Sequence, residues 1–127
     1  MDYALTNAGL NEAADAFADR VIEVAVGTGT TAVTKSDTAL QSEVYRAATD
    51  TDAVSVTVIS GRGALRVSII IVGGTSVPSE TDIFELGLFN DAGELLYRQV
   101  TDTPLQTAAG QSLQIDSELE FAPLVRN

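Results

Sequence analysis

The sequence lacks several of the residues on which common active sites depend. It has no cysteine, no histidine and no tryptophan among its 127 residues. Disulfides and thiolate metal sites are therefore excluded, and no imidazole is available as a metal ligand or a general base. Catalysis would have to use carboxylates, hydroxyls or the single lysine, Lys35. We therefore predict a protein that is not an enzyme, without catalytic residues, metal ligands or a bound cofactor.

Basic residues are also scarce, since 7 lysines and arginines stand against 18 aspartates and glutamates, for a formal net charge of −11. Such a field repels nucleic acid, so we predict no nucleic-acid partner. Two interpretations of the acidity stay open. One is a solvated surface that keeps the protein soluble. The other is adaptation to high salt, where screening makes dense carboxylates tolerable and lysine is rare.

Long apolar runs are missing as well. No segment approaches the roughly 18 apolar residues that a membrane span requires. The longest runs, such as residues 69–72, have the length of a strand. The first residues, Met1-Asp2-Tyr3, lack the basic region of a signal peptide. We therefore expect a soluble, unprocessed chain with no membrane partner.

The hydrophobic residues that are present, 45% of the chain, are spaced as one helix followed by strands. Over residues 6–20, which Thr6 or Asn7 can cap, apolar side chains recur every three or four positions. From Val21 the period becomes two, which places Ile22, Val24 and Val26 on one face. The predicted strands cover residues 21–26, 53–60, 65–72, 83–89, 94–101 and 113–121, with a further strand-like segment around Tyr45.

Turn signals at residues 60–63 and 90–93 predict hairpins, and the stretches 28–38, 73–81 and 102–110 predict loops. We find no internal repeat and no linker. Together these patterns predict a single domain over residues 1–127. Its predicted fold is mainly β, an antiparallel, jelly-roll-like β-sandwich of about seven strands with one N-terminal helix.

Two motifs that invite a functional interpretation fail on their spacing. Gly27-Thr28-Gly29 follows a predicted strand, but a phosphate loop needs a further glycine or a Gly-Lys-Ser/Thr ending and a helix directly after it. The oxygens of Asp50, Asp52 and the Asn90-Asp91 pair could bind calcium, but they lack the twelve-residue ligand pattern. Turn chemistry explains these residues with fewer assumptions.

Two Tyr-Arg pairs, Tyr45-Arg46 and Tyr97-Arg98, stand in strand-like segments with acidic neighbours. Each arginine is predicted to form a structural ion pair rather than to bind a substrate. In a homo-oligomer the same four residues could instead lie at a subunit interface.

Three ordered stretches carry a resemblance to a known group of proteins. Residues 5–10 open the helix, residues 24–32 with Gly27-Thr28-Gly29 lead into residues 36–46, and residues 85–98 contain Gly87-Leu88-Phe89-Asn90. This order, over roughly residues 5–121, is similar to small modules of tailed-phage tail fibres, tail-collar fibres and related baseplate proteins.

The resemblance implies a non-enzymatic virion protein, assembled in the host cytoplasm, whose partners are further copies of itself, as a homotrimer or ring, and other virion proteins. It transfers no catalytic residue. Because fibre proteins continue into long shafts and this chain stops at Asn127, a standalone module is expected. Together with the acidic, lysine-poor composition, the resemblance suggests a virus of a halophilic host. Two alternatives stay open: a capsid decoration or turret protein, and a carbohydrate- or receptor-binding β-sandwich that contacts a host surface receptor.

Overall fold

Two antiparallel sheets form the body of the computed structural model, which describes residues 2–121 and 125–126. The outer ends of the predicted 1–127 domain therefore lie outside the described residues. The elements in chain order are β1 (Tyr3–Ala4), α1 (Asn7–Arg20), β2 (Glu23–Gly27), β3 (Glu43–Ala48), β4 (Val54–Ile59), β5 (Ala64–Val72), β6 (Asp82–Phe89), β7 (Leu95–Gln106), β8 (Ser112–Glu120) and β9 (Val125–Arg126).

The four-stranded sheet has the order β3-β2-β6-β7, and the three-stranded sheet has the order β4-β5-β8. The short strands β1 and β9 pair with each other. The predicted sandwich of about seven strands with one N-terminal helix is confirmed. Its connectivity uses hairpins that keep both strands in one sheet (β2–β3, β4–β5 and β6–β7), and it differs in that detail from the paired Greek keys of a jelly roll.

The main core lies between the two sheets, because alternate residues of both sheets point inward. Val24 and Leu88 of the four-stranded sheet belong to the same buried cluster as Ile69 and Ile115 of the three-stranded sheet. The predicted inward row of β5, which comprises Leu65, Val67, Ile69 and Ile71, is fully buried, so this alternation is confirmed. Burial of such apolar surface is the main term that stabilises the fold.

The predicted helix is confirmed, with Thr6 as its N-cap. The Thr6 side chain accepts a hydrogen bond from the Gly9 backbone at 3.2 Å, and this satisfies one free donor of the first turn. Helix α1 packs on β4 and β5. Its buried side chains are Leu10 and Ala14. No helix in the described part of the chain has the length and apolar character needed to cross a membrane.

Two predicted boundaries are wrong. The strand after the helix begins at Glu23, and Ile22 is 39% exposed rather than aligned with Val24, because the helix runs to Arg20 and Val21 is its C-cap. Strand β7 continues to Gln106, through the first half of the predicted loop. Residues 101–104 bulge out of the β6–β7 ladder, which spares Pro104 from donating a ladder hydrogen bond that it cannot make.

Candidate functional site

The site begins with a loop of unusual length. Residues 28–42, here called the 28–42 loop, connect β2 to β3 without a helix or a strand. Loops of this length without secondary structure are uncommon and are usually functional or disordered. This loop lies over the outer face of the four-stranded sheet, where Leu40 packs with Ala25 and Phe89 in a second buried cluster. The sandwich therefore has a third layer on one side.

Gly87 allows this close approach. A Cβ atom at Gly87 would lie 2.8 Å from Leu40 Cδ2 and 3.1 Å from Leu95 Cδ1. A glycine in the middle of a strand costs stability, and its usual reason is such an approach of another segment. The outer face of β6 thus presents Glu85, Gly87 and Phe89 to the loop, in place of the polar side chains of a solvated face.

The carboxylate of Glu85 is the centre of the site. Its Oε2 accepts hydrogen bonds from the backbone N–H groups of Gly29 at 2.9 Å and Ser42 at 2.8 Å. Its Oε1 accepts from the backbone N–H of Gln41 at 2.9 Å and from Nε of Arg98 at 3.0 Å. We call these four donor groups, three backbone N–H groups and the Arg98 guanidinium, the Glu85 cradle. The side chains of Glu85 and Arg98 are 0% and 4% exposed, so the pair is buried.

The Gly27-Thr28-Gly29 motif provides the space for this carboxylate. A Cβ atom at either Gly27 or Gly29 would lie 2.5 Å from Glu85 Oε2. The motif resembles an anion-binding loop because it does bind an anion, but the anion is the protein's own glutamate.

Arg98 extends the network to the far side of the loop. Its Nη1 donates to Asp37 Oδ2 at 3.0 Å, and its Nη2 donates to Thr31 Oγ1 at 3.1 Å. Asp37 Oδ2 also accepts from the Thr34 backbone at 3.0 Å. Gln41 Oε1 accepts from the Thr30 backbone at 2.8 Å. Among the described side chains, every buried nitrogen and oxygen has a hydrogen-bond partner. The network is therefore satisfied, which is the condition under which buried polar groups rigidify a structure.

The electrostatics favour the charged form of both carboxylates. Burial by itself raises the pKa of Glu85, but the donors of the cradle outweigh it, and the net result is a lowered pKa. The backbone and hydroxyl hydrogen bonds from Thr34, with a smaller contribution from Arg98, also lower the pKa of Asp37. Arg98 is thus held between two ionised carboxylates.

A second ion-pair group stands beside the cradle. Arg46 on β3 contacts Glu23 at 3.2 Å and Glu43 at 2.7 Å. Its guanidinium carbon also lies 3.8 Å from the ring centroid of Phe89. A cation at this distance over an aromatic face is attracted by the ring. Arg46 therefore covers the second buried cluster on the side of β3.

The four predicted site residues divide between the two faces of the sheet. Tyr45 and Tyr97 are half-buried against the main core, and the Tyr97 hydroxyl donates to Gln99 at 3.0 Å. Arg46 and Arg98 stand on the outer face in intramolecular ion pairs, as predicted. Contact of these four residues with another copy stays a prediction, and the burial of Arg98 leaves little of its side chain for a neighbour.

Sequence analysis missed Glu85 as the central residue. A glutamate in an alternating strand is normally solvated, so nothing in the β6 pattern alone marks it. A usable signal was the outward-facing row formed by Glu85, Gly87 and Phe89, since a phenylalanine and a glycine on an outer face indicate a covering segment.

The Asn90 side chain accepts hydrogen bonds from the backbone N–H groups of Ala92 and Glu94. These bonds explain Asn90 as a turn residue.

Other features of the described residues are weaker candidates. A cleft of about 170 Å³ opens beside the β7 bulge, lined by Leu86, Leu105, Ile115 and neighbouring residues. It is smaller than the roughly 300–1,000 Å³ of typical ligand pockets. In the described part of the chain, no group of three or more Cys, His, Asp or Glu side chains is placed to hold a metal ion.

The chain was compared with known proteins by sequence. No protein-family model matches it, and no curated protein matches it either.

Proposed function

We propose that this chain is a non-enzymatic structural protein of a tailed-virus particle, an assembly module associated with the tail fibre or baseplate. The observation that carries the proposal is that the stretches resembling tail-fibre modules meet at one place. Gly29 comes from the stretch 24–32, Gln41 from the stretch 36–46 and Glu85 from the stretch 85–98. Their convergence on one buried network supports treating them as parts of a single module.

The geometry of the site suits assembly because it pre-orders a surface. The carboxylates and arginines of the network bind one another and the backbone, which fixes the 28–42 loop. A loop that is already ordered loses less entropy when it meets a partner. The module thus presents a rigid surface to its neighbours.

The outer side of the 28–42 loop is the expected contact surface. Val33 is 51% exposed, the largest value among the exposed large hydrophobic residues of the described chain. Residues 24–36 contain no acidic side chain and include Lys35, the single lysine. In a protein with a net charge of −11, two copies repel each other less across an exposed segment that carries no acidic side chain. Self-association into a homotrimer or ring is therefore expected to use it.

The particle itself provides the direct test. Quantitative mass spectrometry of purified particles of the encoding virus should find this chain at a fixed, low copy number relative to the major tail protein. A copy number that scales with the major capsid protein would favour the capsid decoration or turret alternative. Absence from purified particles would overturn the proposal.

A matched pair of variants tests the contact surface. Val33→Asp should shift the purified protein towards monomer in sedimentation velocity, whereas Ile70→Asp, at a 37% exposed position on the three-stranded sheet, should not. Val33→Asp should keep the wild-type unfolding midpoint, because its side chain is exposed in a loop. Ile70→Asp should unfold somewhat earlier, because aspartate is unfavourable in a strand. A strict monomer for the wild type in both dilute buffer and molar salt contradicts self-assembly. Reproducible binding to a glycan array would instead favour the carbohydrate-binding class.

A further inference from the structure

The Glu85 cradle has the features of a complete anion site. Its donors converge on both oxygens of the carboxylate, at distances between 2.8 and 3.0 Å. Backbone N–H groups and an arginine fork are the groups that bind carboxylates in proteins generally. The bound carboxylate is shielded from water, because the Glu85 side chain is 0% exposed.

The donors of the cradle belong to segments other than the strand that carries Glu85. Gly29 lies 56 residues from Glu85 in sequence, and Ser42 lies 43 residues away. Arg98 stands on β7 and is also held by Asp37 and Thr31, independently of Glu85. Gln41 holds the start of the loop through its own side chain. None of these contacts involves the Glu85 side chain.

We propose that the cradle is a carboxylate-binding site in its own right, filled in the native chain by Glu85, and that it binds free acetate when this side chain is shortened to alanine. The atoms that Glu85→Ala removes are a methylene and a carboxylate, which match acetate in size and charge. Formate lacks the methyl group and propionate adds a carbon, so both should fit less well. This inference stands independently of the proposed virion role.

The test is a stability titration of purified Glu85→Ala at neutral pH, with ionic strength held constant by potassium chloride. The variant should unfold at lower denaturant than the wild type, and acetate should restore stability with saturation. At an acetate concentration of about 100 times its Kd, the folding equilibrium constant should rise about 100-fold. Formate should act more weakly than acetate, and propionate should act most weakly.

Four control proteins separate binding from general salt effects. The wild type and Glu12→Ala, which alters an exposed helix residue, should show only the general, non-saturating effect of acetate as a salt. Glu85→Gln, which fills the cradle with a neutral group of the same size, should show no saturable acetate response. The double variant Glu85→Ala/Arg98→Ala should also lose the response, since its cradle lacks the cation.

In Glu85→Ala, the amide resonances of Gly29, Gln41 and Ser42 should shift on titration with acetate. The Kd from these shifts should equal the Kd from the stability titration.

Two outcomes would overturn the proposal. One is a response of Glu85→Ala to acetate that is no larger than that of Glu12→Ala and does not saturate. The other is a size series in which propionate equals or exceeds acetate. If Glu85→Ala does not fold in buffer, refolding yield against acetate concentration becomes the readout, and a yield that does not depend on acetate counts against the site.

Discussion

At the scale of single residues, the pairing of Glu85 with Arg98 has the largest energetic consequence. Both side chains are almost fully buried, and Arg98 is the only cation that contacts the Glu85 carboxylate among the described residues. A buried ion pair is not by itself strong evidence of stability, because desolvation offsets the attraction. Removing one partner is different, since it leaves an unpaired charge in the interior.

We therefore expect Arg98→Ala to destabilise the protein by about 3–5 kcal/mol, the range for breaking a buried pair from one side. Arg66→Ala is the matched control, because Arg66 is 59% exposed and reaches Glu118 only at 3.9 Å. That control should cost at most about 1 kcal/mol. Urea unfolding followed by circular dichroism measures both, and equal losses for the two variants would contradict a structural role for the cradle.

The second prediction at this scale concerns Gly27. A Cβ atom there would lie 2.4 Å from the Ser42 carbonyl oxygen, which is backbone and cannot rotate away. Gly27→Ala should therefore destabilise by about 1–3 kcal/mol, as overpacking does. In Gly9→Ala the new atom meets the end of the flexible Leu5 side chain, and helix propensity favours alanine by up to about 1 kcal/mol. Thermal unfolding should therefore move in opposite directions for these two variants.

At the scale of elements, the helix and the hairpins could be predicted from periodicity, while the 28–42 loop could not. Apolar alternation marks β5 because its inner row meets the main core, and this needs no knowledge of distant segments. Leu40 covers Gly87 only once β2, β6 and β7 lie side by side. Turn residues predict a loop over residues 28–38, but no local pattern indicates that the 28–42 loop donates backbone hydrogen bonds to a glutamate 43 or more residues away.

The extension of β7 was missed for a related reason. Thr101, Asp102, Thr103 and Pro104 are typical of a loop, and in the structure these residues do bulge out of the ladder. Pairing resumes at Leu105 with Ile83. In sequence, residues 101–104 resemble a loop, and the two paired residues that follow are too few to be recognised as a strand. Only the register of the neighbouring strand identifies it.

The order of the 28–42 loop should depend on pH through Glu85. Because its folded-state pKa is lowered, its contribution to stability is present above the unfolded-state pKa, about 4.3, and is lost as pH falls through the folded-state value. Hydrogen exchange should therefore show protected amides at Gly29, Gln41 and Ser42 at neutral pH, unusual for a loop. Their protection should fall on acidification below about pH 4.3, ahead of that in β5.

Glu85→Gln provides the control for that experiment. The amide keeps the volume of the carboxylate but does not titrate, so these three amides should be less protected at neutral pH. Their remaining loss of protection in acid, which comes from Asp37, should be smaller than in the wild type. Protection that is unaffected by both acid and this substitution would mean that the loop is held by Leu40 and its apolar neighbours alone.

At the scale of the whole molecule, the net charge of −11 opposes compaction. The acidic residues Asp116, Glu118 and Glu120 lie exposed in a row on the edge strand β8, where Arg62 and Arg66 compensate only part of their charge. Screening by salt should relieve this repulsion. The buried cradle is shielded from salt and should change little.

We therefore expect the unfolding midpoint to rise steadily from dilute buffer to about 1 M sodium chloride, with the largest gain at the low end. Substituting Glu118 and Glu120 with glutamine should reduce that salt dependence, and Glu85→Gln should not. The halophilic proposal requires in addition that the fold is lost in dilute buffer. Full stability without added salt would instead favour the interpretation that the acidic surface keeps the protein soluble.

The Glu85 cradle should also affect the rate of unfolding. Its hydrogen bonds join segments 43 and 56 residues apart, so we expect them to form only after the β2–β6 pairing has brought the segments together. Interactions that form after the folding transition state slow unfolding while leaving the folding rate nearly unchanged. The buried glutamate should accordingly set how long a folded copy lasts before it opens.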